Sequence, residues 1–316
     1  LKLHTGWRFR EASKNEWYAA MVPGEVHTDL LRAGLIDDPF YRDNEHKLQW
    51  IGKTDWEYEC RFSVPSEILQ REHIDLVFDG LDTYASVFLN DSLIIEADNM
   101  FRPWRAGCKA LLKLGENSLR IRFRSPINEI LPRLADKEYE LPAVNDAGEK
   151  TSPYTRKAPY HFGWDWGPRF VTCGIWQPVY LDAWDQSRIV DLHIVQHQLD
   201  DRAAKLTANL EVDASTSAKA DIEIFCEDGA FSPISKTVYL TPSLQSYQID
   251  FTIEHPRQWW PNGMGEQPLY NIIASLSVNK KFSAQTSRRI ALRTIELQQN
   301  VDAWGRSFEF IVNGVP

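Results

Sequence analysis

Ten consecutive residues, Tyr160-His161-Phe162-Gly163-Trp164-Asp165-Trp166-Gly167-Pro168-Arg169, hold the densest chemistry in the chain. They combine four aromatic rings with one carboxylate, one imidazole and one guanidinium, and two glycines and a proline permit tight turning. Sugar recognition needs that mixture. A pyranose offers an apolar C–H face that packs on indole, and hydroxyls that need directional partners. A carboxylate accepts from two adjacent hydroxyls, each well-made charge-assisted bond contributing about 1.5–3 kcal/mol. The same residues also allow a plainer arrangement, with Trp164 and Trp166 in a core and Asp165 capping backbone N–H groups of a loop.

Other clusters carry less. Arg156-Lys157 stands just ahead of this run and could serve a binding rim electrostatically, although a basic pair is usually solvated surface. Asn44, Glu45 and Trp50, after Asp43, form a second polar-aromatic group. Gln258-Trp259-Trp260-Pro261-Asn262-Gly263-Met264-Gly265 could hold a sugar, but such a segment more often packs a corner between domains. Glycoside hydrolysis requires two convergent carboxylates, about 5–5.5 Å apart for retention. Asp and Glu are plentiful here, yet no pattern marks a pair. No Gly-x-Ser-x-Gly elbow, phosphate loop or His-Glu-x-x-His occurs, so catalysis by this chain alone is not expected.

Composition narrows the partner. The formal net charge is −9, from 35 basic and 44 acidic residues, which argues against a nucleic-acid partner. The 12 Trp suit either broad β-sandwich cores or flat ligand surfaces. Cys60, Cys108, Cys173 and Cys226 have no short spacing, so neither a disulfide framework nor a metal site is expected, and no cofactor is implied. No apolar run reaches the roughly 18–20 residues of a membrane span. Leu1-Lys2-Leu3-His4 does not have the form of a signal peptide; a periplasmic or secreted protein would have lost its leader already, and otherwise the cytoplasm is expected.

The elements that must position these residues read as strands. Residues 26–35 space apolar side chains as a helix does, with Gly34 as its stop. Residues 56–64 alternate apolar and polar, and 75–78, 84–89, 118–124 and 175–181 continue the strand pattern. Between them, residues 125–160 hold Pro126, Pro132, Pro142, Pro153 and Pro159 and read as a long loop. From about residue 189, seven strand-like runs follow in about 100 residues, an immunoglobulin-like rhythm without the antibody cysteine pair. The fold class expected is all-β, with one sandwich over residues 1–187 and a second over 188–295. Residues 296–316 form a linker whose close, Phe308 to Pro316, reads as strand, tight turn and the start of another strand.

Several stretches, in order along the chain, resemble the β-mannosidase branch of glycoside hydrolase family 2. They are Val22-Pro23-Gly24-Glu25-Val26-His27, Asp38-Pro39-Phe40-Tyr41-Arg42-Asp43-Asn44-Glu45 and Phe78-Asp79-Gly80-Leu81-Asp82-Thr83-Tyr84-Ala85. Asn99-Met100-Phe101-Arg102-Pro103-Trp104, Arg156-Lys157-Ala158-Pro159, the Trp164-Asp165-Trp166-Gly167-Pro168 run and Trp259-Trp260-Pro261-Asn262-Gly263 complete the set. The resemblance implies a jelly-roll, galactose-binding-like domain, an immunoglobulin-like domain and then a catalytic (β/α)₈ barrel that supplies an acid/base Glu and a nucleophile Glu. The chain stops where the first barrel strand should begin, so the barrel is expected to lie outside it, and no Glu here receives either role. Asp165 matches a family aspartate that binds hydroxyls of the terminal sugar, with Trp164 shaping the pocket; Asn44 and Glu45 lie in a segment that approaches the same mouth. The expected function is the non-catalytic front part of an exo-acting, retaining β-mannosidase whose partners are a terminal β-mannoside and its own barrel. A free-standing carbohydrate-binding or adhesion module is the alternative.

Overall fold

The computed structural model describes residues 1–134 and 137–316 and divides into two compact units, Leu1–Ala183 and Trp184–Pro316. Ala135 and Asp136, inside the expected 125–160 loop, lie outside the described residues.

The first unit is built on β1 (Trp7–Glu11), β2 (Tyr18–Ala19), β3 (Trp56–Val64), β4 (His73–Phe78), β5 (Tyr84–Leu89), β6 (Ser92–Asp98), β7 (Trp104–Gly107), β8 (Gly115–Arg124) and β9 (Val179–Trp184). Six strands form one sheet in the order β2-β1-β3-β8-β5-β6, and β7-β4-β9 form a second. Alternation in β3 turns Trp56, Tyr58 and Cys60 into the core. Register places Tyr58 opposite Phe9 on β1 and Ile121 on β8. The Tyr58 ring stacks on Phe9 at 5.8 Å and meets Phe123 edge-on at 5.7 Å. Fully burying an aromatic or aliphatic side chain of this size stabilises by about 1.5–3 kcal/mol.

Four short helices accompany the sheets: α1 (Val26–Arg32), α2 (Asn44–Lys47), α3 (Ser66–Leu69) and α4 (Pro126–Leu134). The first matches the helix expected from residue 26, and Gly34 follows it in the left-handed region at φ 69°. It is tied to the sheet by a buried polar contact, because the Tyr58 hydroxyl donates to Asp29 Oδ2 at 3.0 Å. Asp29 also accepts from Met21 N and from Arg32, so its carboxylate has partners on both sides. The fourth helix corrects the loop reading of residues 125–160. Pro126 stands in the first turn, where a missing N–H costs nothing, and Pro132 falls near the helix end.

The second unit contains β10 (Ser187–Leu199), β11 (Ala203–Ala214), β12 (Ala218–Cys226), β13 (Ile234–Leu240), β14 (Ser243–Glu254), β15 (Tyr270–Val278) and β16 (Lys281–Ile290). These seven strands form sheets β10-β11-β14 and β13-β12-β15-β16, the immunoglobulin-like sandwich expected. The fold is therefore all-β, a galactose-binding-like sandwich followed by an immunoglobulin-like one, with no barrel among the described residues. A separate hairpin, β17 (Ile295–Gln298) with β18 (Glu309–Val312), follows. Asn313 and Gly314, both at positive φ, then turn the chain so that Val315 pairs back on Val312. All four cysteines are buried and free.

Candidate functional site

Trp164, Asp165, Trp166 and Gly167 make one tight turn. Trp164 N donates to Gly167 O and Gly167 N to Trp164 O, each at 3.3 Å, leaving Asp165 and Trp166 at the tip. Gly163 leads in at φ 104°, and a Cβ there would lie 2.9 Å from Asn145 O, so this approach needs glycine. The plainer arrangement, Trp in the core and Asp165 as a backbone cap, is not what forms. Trp164 is 40% exposed and Trp166 82%, their rings edge-on at 5.6 Å. Asp165 is exposed too, and its carboxylate has no hydrogen-bond partner among the described residues.

An exposed turn holds its shape only if its ends are fixed. Arg169, buried, fixes the exit. Its guanidinium donates to Gln49 Oε1 at 2.7 Å and Glu149 Oε2 at 2.9 Å and pairs with Asp146 Oδ1 at 3.3 Å. Its backbone N donates to Glu45 Oε1 at 2.7 Å, and its carbonyl accepts from Gln49 Nε2 at 2.9 Å. Glu45 thus clamps the chain four residues beyond Asp165. Asn44 is buried; its amide donates to Asp38 O at 2.9 Å, and its Oδ1 accepts from Lys47 at 3.2 Å. The turn and α2 therefore meet through Glu45, whereas the side chain of Asn44 serves its own segment.

Lys157 fixes the entrance. The expectation of solvated surface holds for exposed Arg156 but fails for Lys157, whose side chain is fully buried. Its ammonium pairs with Asp82 and donates to Thr172 O at 2.8 Å. Desolvating an ammonium is costly, and the nearby carboxylate and carbonyl offset that cost. Asp82 also accepts from Thr83 and lies 3.6 Å from His161 Nδ1. Beside it, Glu25 caps α1 through Thr28 N and His27 N and accepts from the Thr172 hydroxyl.

Two adjoining hollows open around this frame. The outer one, about 600 Å³, is walled by Trp164, Trp166, Pro168, Tyr160 and Phe40. Asp165 lies between two of its walls in sequence, Trp164 and Trp166. The inner one, about 410 Å³, shares Phe40, Tyr160, His161 and Phe170 with the outer and reaches Glu25, His27 and Asp82. Burial raises the Glu25 carboxyl, but hydrogen bonds from His27 and Thr172 and the His27 charge outweigh it and hold the group down at about 2. Burial first, and the Lys157 charge second, push His161 down to about 4, so its imidazole is neutral near pH 7. The arrangement can therefore offer indole faces and hydrogen-bond acceptors to a hydroxylated ring. Among the described residues, no cluster of three His, Cys, Asp or Glu could hold a metal ion.

Arg169, Gln49, Lys157 and Asp82 do the positioning, and their contacts join segments up to 124 residues apart, which spacing along the sequence cannot signal. The Trp259-Trp260 segment packs within its own unit. Trp259 N donates to Leu292 O at 2.9 Å, Trp259 O accepts from Asn313 at 3.0 Å, and Arg293 lies over its ring.

Residues 7–177 match the family described as glycosyl hydrolase 2 galactose-binding domain-like, and residues 187–293 match glycosyl hydrolases family 2. Two similar curated proteins are the "Beta-mannosidase B" of Emericella nidulans, 36% identical over 99% of this chain, and that of Thermothelomyces thermophilus, 35% identical over all of it. The chain spans only 37% of the length of either relative. A crystal structure of β-D-mannosidase from Dictyoglomus thermophilum superposes with a TM-score of 0.90 at 35% identity, covering 100% of this chain and 39% of that one. The Amycolatopsis orientalis exo-chitosanase CsxA, 20% identical with a TM-score of 0.76, shares the fold. With both domain profiles matched in order, the chain belongs to glycosyl hydrolases family 2.

Proposed function

We propose that this chain is the N-terminal, non-catalytic part of an exo-acting, retaining β-mannosidase. In this reading the first sandwich lends the Trp164–Asp165 turn to the site that receives a terminal, non-reducing β-D-mannose. The observation that carries it is the turn itself: an exposed carboxylate without a protein partner, flanked by two exposed indoles and clamped at both ends. An unpartnered carboxylate on a rigid turn is poised to accept from sugar hydroxyls, and rigidity keeps the ordering cost of binding low. The two carboxylates of a retaining mechanism, one acid/base and one nucleophile about 5–5.5 Å apart, belong in this reading to a barrel beyond these 316 residues. Trp164 and Asp165 are substrate-binding residues, and Glu45 positions them through Arg169. Asn44 supports the fold of the segment that carries Glu45.

The test uses the full-length protein and an aryl β-mannoside. Asp165→Ala should lower kcat/KM by about 10- to 100-fold, corresponding to loss of one charge-assisted contact of about 1.5–3 kcal/mol. Asp165→Asn, which keeps one acceptor, should fall between the two. Equal kcat/KM in all three proteins removes Asp165 from the site.

A further inference from the structure

The inner hollow has features that the turn does not explain. His27 and His161 both line it, and each turns a buried Nδ1 toward a carboxylate: 3.7 Å to Glu25 Oε2 and 3.6 Å to Asp82 Oδ2. Neither Nδ1 has a hydrogen-bond partner at bonding distance. His161, neutral near pH 7, keeps its proton on the Nδ1 that faces Asp82, which leaves its Nε2 as a lone-pair acceptor on the other ring edge. Among the described residues, neither Nε2 takes part in a hydrogen bond. His27 is 6% exposed and lines the hollow. The rings are held in place: His27 packs on Phe170 at 5.4 Å, and Tyr160 meets His161 edge-on at 4.8 Å.

Leu31, Met100, Phe170 and Trp176 add apolar wall, and Thr28 and Thr172 add hydroxyls. Trp176 is held by close packing, since a Cβ on Gly80 would come within 2.5 Å of its Nε1. At about 410 Å³ the hollow falls within the roughly 300–1,000 Å³ of small-molecule sites. We infer that this chamber is a self-contained binding pocket for a neutral, hydroxyl-bearing ring of monosaccharide size, distinct from the Asp165 turn. A ring hydroxyl donates to His161 Nε2, another hydrogen-bonds the His27 ring, and the C–H face packs on Phe170 and Trp176. An anion is disfavoured, because the Glu25 and Asp82 carboxylates both line the chamber. The inference does not depend on the hydrolase reading, because every residue of the chamber belongs to the first unit.

The test is calorimetric titration of the 316-residue chain with D-mannose, D-glucose and β-1,4-mannobiose, together with ¹⁵N NMR of the imidazole nitrogens. Saturable binding in the millimolar range is expected for at least one sugar, with the Nε2 resonances of His27 and His161 moving on saturation. Leu31→Trp, on the exposed side of α1, fills the chamber without touching its polar floor and should weaken binding at least tenfold while leaving the melting temperature unchanged. His161→Ala should weaken it similarly. Absence of saturable binding for all three sugars overturns the inference, and so does affinity unchanged in Leu31→Trp. Neither result bears on hydrolysis by the full-length protein, which Asp165→Ala tests separately.

Discussion

Lys157 and Glu25 carry the chemistry of the site at the scale of single residues, and each gives a measurable expectation. Removing one partner of a buried ion pair leaves the other charge desolvated and unpaired, at a cost of about 3–5 kcal/mol. Lys157→Met should therefore lower urea-unfolding stability by about 3 kcal/mol, and Asp82→Asn by a comparable amount. The double variant should cost less than the sum, since neither charge is then stranded. Strict additivity would mean that the pair is not coupled. Acid gives a second expectation, and its sign follows from which state binds more protons. His161 titrates at about 4 in the fold and near 6.5 when unfolded; Glu25 titrates at about 2 in the fold and near 4.5 when unfolded. In both windows the unfolded chain holds more protons, so stability falls as pH descends from 6.5 to 4 through His161 and from 4.5 to 2 through Glu25. Each contribution is on the order of 1–3 kcal/mol after allowing for partial exposure. His161→Phe should flatten the upper window alone; an unchanged slope there would assign the acid sensitivity elsewhere.

Elements decide whether the turn is a rigid platform. Arg169 joins the turn to α2 through Glu45 and Gln49, and to the preceding loop through Asp146 and Glu149. Arg169→Ala would leave the buried Asp146 carboxylate with only backbone donors from Gly148 and Ser152. A loss of about 3–5 kcal/mol in stability is expected. In the full-length protein, KM for an aryl β-mannoside should rise with it, because the turn loses its anchor. A variant as stable as the parent, with the same KM, would show that the turn holds itself. The sequence pattern reveals these elements unevenly. The strand over residues 56–64 and central strands of the second unit such as β11, β12 and β15 are legible because one face of each is buried, which forces a period of two. The short β6 and β7 were not expected, and α4 was hidden by Pro126 and Pro132, which look like breakers unless their place in the helix is known. Glu45 stands out in the sequence by its type alone, yet its bond to Arg169 spans 124 residues, and no local period encodes such a distance.

Across the whole molecule the question is whether these residues could perform hydrolysis themselves. A retaining glycosidase needs one carboxyl kept protonated near neutrality and another kept ionised close by. Among the described residues Asp29 is the one carboxyl pushed upward, and burial is the cause. It is spent beneath α1, accepting from Tyr58, Met21 N and Arg32, and lines neither hollow. The carboxylates that do reach the inner hollow are unsuited to donate a proton: Glu25 is held ionised at about 2, and Asp82 is locked to Lys157. His161, at about 4, is a neutral imidazole and a poor acid near pH 7. Two sandwiches with separate cores thus fit the proposal that hydrolysis needs carboxylates from beyond these residues. The 316-residue chain incubated with an aryl β-mannoside should release no aglycone above a buffer blank. Turnover clearly above that blank, abolished by Glu25→Gln, would place catalysis in the inner hollow and overturn the assignment of both catalytic carboxylates to polypeptide outside this chain.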